Sequence, residues 1–381
     1  CALSVSHALP EHPIALVTGR ADVTGGFPVG KVIDRGVGLL KRRGSGDGIT
    51  IDDVTAGLLD RRFEISARES GFQLVSERET GDAPPTFLGR AQPFVGRERE
   101  LTRMLVAYEA CASEETAQAM LVIGGPGAGK SRLGHELVQS LGARHPTPLT
   151  LVGRGSGHLS DLPMGVIASA LAQLFGLHEQ EGPDVARHRV RARVGRNVPR
   201  AERDRIAGFL GQLLGVKFPD DTHPTLAAAR LDNVKMGDLI RAAWEELLTA
   251  ELAAGPVLLM VDDIHLADAA SVGLIDSALR VFADAPLFVV GLARREVDSA
   301  FPALWSTRSL TRFELNRLSQ TAAIQICQHV LGSDVPELEL TRLVAQANGN
   351  PFYLEELLRT VAEGRGGRIP ETLLAMVQAR L

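Results

Sequence analysis

The segment Leu121-Val-Ile-Gly-Gly-Pro-Gly-Ala-Gly-Lys-Ser131 restricts this chain more than any other feature. An apolar run of strand character passes through four glycines and a proline straight into residues 130–141, where apolar side chains recur at helical spacing. A strand that turns directly into a helix opens a βα unit, and such units build parallel sheets covered by helices on both faces. The pattern continues downstream. Residues 150–153 read as a strand and 164–175 as a helix. A long amphipathic helix over 236–252 runs into the strand 257–261, followed by a helix over 269–282 and strands over 287–292 and 312–315. Beyond residue 318 the spacing predicts helices alone, over 321–331, 337–346 and 352–362. The expected fold class is therefore α/β, a parallel sheet covered by helices with a helical segment after it.

Residues 1–80 read differently, as a small α+β segment. Strands are expected at 14–18 and 48–52, short helices at 31–40 and 53–59, and a hairpin of 63–65 with 72–75. A polar linker, 81–93, opens with Gly81-Asp-Ala-Pro-Pro-Thr. The expected division is 1–80, the linker 81–93, an α/β core over 94–318, a helical segment over 319–366 and the start of a further module over 367–381. Within the core, 180–232 forms an arginine-rich, helical insertion.

At 381 residues and 45% hydrophobic, the chain has the material for a full-sized core. No apolar run approaches the ~20 residues that a membrane span needs, and the first residues lack the basic and apolar regions of a secretion signal. The absence of an initiator Met reads as a piece of a longer protein. Cys1, Cys111 and Cys327 are widely separated and fit no metal spacing, which points to a reducing, cytoplasmic compartment. The net charge is 41 − 46 = −5, which argues against a chain that wraps nucleic acid. Arg187, Arg189, Arg191, Arg193, Arg196, Arg200, Arg203 and Arg205 crowd one stretch. With no interleaved aromatics they read as a solvated helical face rather than a nucleic-acid track.

Gly124-Gly125-Pro126-Gly127-Ala128-Gly129-Lys130-Ser131 matches G-x-x-x-x-G-K-[ST] in full, in the strand-to-helix setting the motif requires. Its glycines let consecutive N–H groups converge on phosphate oxygens, and the helix start adds its positive end. Lys130 would place an ammonium on the β- and γ-phosphates, and Ser131 a hydroxyl on Mg²⁺. The chain has only five Lys among its 41 basic residues, so a motif that demands Lys is improbable here by accident. Val257-Leu-Leu-Met-Val-Asp262-Asp263 is an apolar strand ending in two carboxylates. Asp262 would serve Mg²⁺ and Asp263 the attacking water. A third strand runs out into Arg294, which would reach the γ-phosphate if its end lies beside that of 257–261. The expected catalytic set is Lys130, Asp262, Asp263 and Arg294. Ser131 and Asp262 are the expected metal ligands, and residues 124–131 with Arg132 the expected nucleotide contacts.

Phe94-Val-Gly-Arg-Glu-Arg-Glu-Leu101, the glycine-rich loop, Asp262-Asp263-Ile-His265, the strand ending at Arg294 and Gly349-Asn-Pro-Phe352 occur in this order. Together they resemble the STAND class of signalling ATPases, relatives of AAA+ proteins, over about residues 88–381. The resemblance implies a P-loop NTPase that takes ATP or ADP with Mg²⁺, with Val95, Gly96 and Arg97 near the adenine. It also implies that Gly349 and Pro351 belong to a helical lid, and that 367–381 begins a winged-helix module. Leu266 stands where the family usually has Trp, and Asp263 where ring-forming motors carry Glu; the latter fits a slow switch. The wording of the chain is also similar to large bacterial proteins in which a Ser/Thr kinase or nucleotide cyclase precedes the ATPase. Residues 30–59 resemble the C-terminal half of a class III cyclase, but Asp34 and Gly38 replace the Asn and Arg of active enzymes. The implied partners are ATP, further domains of the same chain (a kinase or cyclase upstream, a winged helix and helical repeats downstream) and a second copy in the ATP state. Neither a membrane nor a nucleic acid is expected.

Overall fold

The computed structural model describes residues 2–362, except 9–11, 19–21, 25–26, 42–48, 53–54, 57–58, 60–62, 69–70, 78–85, 88–89, 92, 145, 157–162, 178–181, 221–222 and 333–335. Most of the expected linker 81–93 lies outside the described residues, as do 363–366 and the expected module start at 367–381. Of the expected helix 53–59, only Thr55, Ala56 and Leu59 are described. The chain divides into two compact units: Gly96–Arg317, and Cys1–Val95 with Leu318–Leu381.

In the unit Gly96–Arg317 the strands that read as unbroken apolar runs form the middle of a five-stranded parallel sheet. In chain order its strands are β9 (Gln118–Ile123), β10 (Leu149–Arg154), β11 (Val257–Asp262), β12 (Leu287–Ala293) and β13 (Leu310–Glu314). The spatial order is β10-β11-β12-β9-β13, all parallel. Every residue of β12 is buried, as are five of six in β11 and in β9, whereas β10 and β13 at the edges are only partly covered. That gradient is the one a doubly covered parallel sheet requires.

Helices α3 (Glu98–Glu114), α4 (Lys130–Gly142), α5 (Gly165–Phe175), α9 (Asn233–Ala254) and α10 (Ala269–Val281) supply much of the remaining core, and the one-turn helix α11 (Val297–Ala300) follows β12. Trp244 on α9 is fully buried. One carboxylate caps two helices: Asp268 accepts from Ser271 N at the start of α10, and from Met164 N and Val166 N at the start of α5. The expected insertion is helical, as α6 (Pro183–Val194), α7 (Arg203–Leu213) and α8 (Pro224–Ala229).

The insertion is not merely a solvated face. Arg193 is buried and makes a two-pronged contact with Glu251 at 2.7 and 3.1 Å, and Asn197 donates to the same carboxylate at 2.8 Å. Arg191 stacks over the Phe218 ring, and Arg205 bridges Glu202 and Glu246. These arginines bind the insertion to itself and to α9, which is why the expected pattern of exposed cations is only partly realised.

The other unit contains two clusters, each with its own core. In the N-terminal segment β1 (Ile14–Leu16), β4 (Ile49–Ile51), β5 (Phe63–Arg68) and β6 (Gly71–Glu77) form a sheet of order β1-β4-β6-β5 around Ile49, Ile51 and Leu74. Helix α2 spans Lys31–Lys41. Helix α1 (Ala2–Ala8) and the short hairpins β2–β3 (Asp22–Thr24, Phe27–Val29) and β7–β8 (Thr86–Phe87, Arg90–Ala91) had no sequence signal. In the C-terminal segment α12 (Gln320–Leu331), α13 (Glu337–Ala347) and α14 (Pro351–Ala362) close on Leu318, Cys327, Leu343, Leu354 and Leu358, and Val95 packs against that cluster. Burial raises the Cys111 thiol to about 12 and that of Cys327 to about 11, so neither is a nucleophile.

Candidate functional site

Parallel strands all end on the same edge of a sheet, and this edge collects the glycine-rich loop with Lys130 and Ser131, the pair Asp262 and Asp263, and Arg294. Register places Arg154 opposite Asp262 and Ala293 opposite Ile123. Because β12 lies between β9 and β11, Arg294 leaves the sheet between the glycine-rich loop and the paired carboxylates. The sequence stated that placement as a condition, and the strand order satisfies it.

The loop turns through Gly127 (φ 72°) and Gly129 (φ 92°), left-handed conformations that L side chains rarely adopt. Gly124 N is tied to Ala293 O at 3.0 Å and Leu315 N to Ile123 O at 2.7 Å, so the loop is anchored on both sides of its strand. Lys130 folds its ammonium back onto Gly124 O (2.9 Å) and Gly125 O (3.2 Å). Burial pushes its pKa down, against the pull of Asp263 and Asp262, and Arg294 adds to the downward push. A buried ammonium resting on neutral carbonyls beside a second cation is a site prepared for an anion. Arg294 strengthens that reading, since its buried Nε has no hydrogen-bond partner among the described residues.

Ser131 Oγ donates to Asp262 Oδ2 at 2.8 Å, bringing the two expected metal ligands together across 131 residues of sequence. Burial and the adjacent Asp263 raise the Asp262 carboxyl above the ordinary range, while Ser131, Arg154 and Lys130 work against that shift. Two oxygen donors in contact, one of them a carboxylate held at an energetic cost, are a donor set suited to Mg²⁺. Asp263 sits on a left-handed turn (φ 51°) with its backbone N–H on Asp262 Oδ1 at 3.0 Å. Its carboxylate lies 3.6 Å from the Arg154 guanidinium. The turn is held close by Gly155, whose N–H bonds Asp262 O at 2.8 Å; a Cβ there would come within 2.3 Å of Asp263 O.

Arg154 was not foreseen. It is one arginine among 36, at the end of a half-covered strand, and only the register with β11 reveals its partner. His265 is buried, and its Nδ1 faces the Arg294 N–H at 3.4 Å. Burial lowers its pKa, so the imidazole is neutral at pH 7.

The remaining predicted residues divide between the two units. Arg97 is buried and donates from Nη2 to Ala128 O (3.2 Å) and Asn316 O (2.5 Å), and from Nη1 to Glu100 (3.0 Å). Gly96 N donates to Glu98 Oε1 at the head of α3. Arg132, on α4, is ion-paired with Glu136 at 2.6 Å. Val95, Gly349 and Pro351 belong to the other unit. There Gly349 O accepts from Leu318 N at 2.8 Å and Pro351 begins α14. Among the described residues no helix is long and apolar enough to cross a membrane, and no cluster of His, Cys, Asp and Glu has metal-binding geometry.

The chain shares 16% identity with the Holliday junction branch migration motor RuvB of Thermotoga maritima over 77% of this chain and 71% of that one (TM-score 0.40). It shares 14% with the Aeropyrum pernix Orc1 protein, solved in complex with DNA, over 76% and 66% (TM-score 0.43). With domain III of the Thermotoga maritima replication initiation protein DnaA it shares 11%, over 75% and 94% (TM-score 0.36). Likeness this distant bears on neither activity nor partners. No curated protein gives a significant match. The AAA ATPase domain family, however, matches residues 93–290, more than half of the chain and the whole stretch from the head of α3 to the middle of β12. With its glycine-rich loop, its carboxylate-tipped third strand and a parallel sheet between helices, this chain belongs to the AAA ATPase domain family.

Proposed function

We propose that the chain is an ATP-binding, slowly hydrolysing signalling switch of the STAND type. The observation that carries this reading is the state of Asp263. It is a short carboxylate, held on a tight turn by Gly155 and ion-paired with Arg154. A short carboxylate tied to its own turn and drawn toward a guanidinium is less free to swing onto an attacking water, which favours a long-lived ATP state over rapid turnover.

In this reading the loop N–H groups and Lys130 bind the β- and γ-phosphates, and Arg294 reports whether a γ-phosphate is present. Ser131 and Asp262 would hold Mg²⁺, which supplies charge neutralisation between those phosphates when bound. Asp263 orients the water that resets the switch. Gly349 and Pro351 lie in the segment proposed to respond to nucleotide exchange, a bistable element biased by γ-phosphate contacts. The wider setting is part of the same proposal: a cytoplasmic bacterial regulator linked to a kinase or cyclase, self-associating in its ATP state.

The test is ATP turnover together with the nucleotide content of the purified chain. The switch reading expects ADP to co-purify and hydrolysis to run well below the ~1–10³ s⁻¹ usual for enzymes. Rapid turnover that rises with protein concentration, with no retained nucleotide, would favour a ring-forming motor instead.

A further inference from the structure

Arg97 does more in this structure than the family resemblance implies for it. Its side chain is 94% buried, and its guanidinium bonds Glu100, Ala128 and Asn316, all within the unit Gly96–Arg317. One partner is Ala128 O, in the middle of the glycine-rich loop, and another is Asn316 O, just past the edge strand β13. Glu100, one turn into α3, braces the guanidinium from behind. What Arg97 grips is a peptide plane.

That grip has a geometric consequence. In a trans peptide the C=O and the following N–H point in opposite directions, and the plane does not bend cheaply. Holding Ala128 O therefore fixes the direction of the Gly129 N–H. Gly129 immediately precedes α4 and lies in the left-handed region, where a glycine peptide is otherwise free to flip. Its N–H is one of the donors that a phosphate loop must aim inward. The Arg97 anchor is itself fixed, because Nη2 is shared with Asn316 O and Nη1 is held by Glu100.

We propose that Arg97 is a positioning residue for polyphosphate recognition: by holding the Ala128 carbonyl outward, it presets the Gly129 N–H toward the phosphates. This rests on the reading of the loop as a nucleotide site, and it makes Arg97 act on the phosphate end of the ligand rather than on its base.

Calorimetric titration of the full chain with Mg–ATP and, separately, with inorganic tripolyphosphate separates these roles. In Arg97→Met the two affinities are expected to fall by the same factor, about 10- to 100-fold, the range for losing one oriented charge-assisted contact. Arg97→Lys, which keeps a cationic donor, recovers part of both losses, and it carries the comparison if Arg97→Met does not fold. Weakened ATP binding with unchanged tripolyphosphate binding would overturn the proposal and place Arg97 at the base. A lowered melting temperature with both dissociation constants unchanged would overturn it as well, leaving Arg97 a stabilising residue only. If the wild-type chain bound neither ligand, the nucleotide-site reading itself would fail.

Discussion

Two charge-rich regions of the unit Gly96–Arg317 treat their ions in opposite ways. In the helical insertion, Arg193 meets Glu251 through two hydrogen bonds with Asn197 completing the group, and Arg230 is spread over Gln212, Asp220 and Phe218 O. At the sheet edge, Lys130 rests on neutral carbonyls, Arg294 Nε has no hydrogen-bond partner among the described residues, and Asp262 is pressed toward its neutral form. Both regions bring cations and carboxylates together, but their degree of satisfaction differs. Charges satisfied within the protein build the scaffold; charges left short of partners await a ligand that supplies the rest.

Breaking the satisfied region tests the first half of that contrast. Glu251→Gln leaves Arg193 buried without a counter-charge, and the expected loss is about 3–5 kcal/mol in urea unfolding with nucleotide affinity unchanged in the folded protein. A loss under 1 kcal/mol would mean that the pair is not buried in solution. Asp268 offers a smaller test only five residues beyond Asp263. It is an anion whose neighbours fully use it, so Asp268→Ala is expected to cost about 1–2 kcal/mol through two helix starts at once.

Asp262 should behave in the opposite sense. Its folded pKa is raised by burial and by Asp263, so its charged form opposes folding at neutral pH. Asp262→Asn is expected to raise the melting temperature of the ligand-free chain while abolishing its Mg²⁺-dependent stabilisation by ATP. In the wild type, Mg²⁺ affinity falls with acidification from a pH above the ordinary carboxylate range. A ligand-free variant that melts below wild type would contradict the contrast at its centre.

The smallest effect belongs to His265. Its folded pKa is lowered from 6.5, so the stability it contributes is present above pH 6.5 and is lost as pH falls below it. His265→Gln should flatten the decline of melting temperature below pH 6.5 and leave the neutral-pH value nearly unchanged.

Sequence legibility followed the reach of the interactions. The middle strands were plain because a doubly covered strand must be apolar throughout, and the glycine-rich loop because its chemistry is local. The meeting of Ser131 with Asp262 was foreseeable from motif logic although 131 residues separate them. Helix α3 gave no clear signal, since its first turn is charged (Glu98, Arg99, Glu100) and only Met104, Tyr108 and Cys111 are buried. The burial of Arg193 depends on Glu251, 58 residues on, and that of Arg97 on Asn316, 219 residues on. Neither partner can be read from a window of sequence. Arg154 was hidden for the same reason, its role set by strand register.

The most direct measurement is calorimetric titration of Mg–ATP into the wild-type chain and Lys130→Ala, with both first freed of nucleotide and shown to be folded. If the sheet edge is short of an anion, the wild type binds and the variant loses at least about 100-fold, since the ammonium is the charge that ATP completes. Equal affinity in the two proteins would contradict the account, because the unsatisfied charges at this edge would then not be where the nucleotide goes.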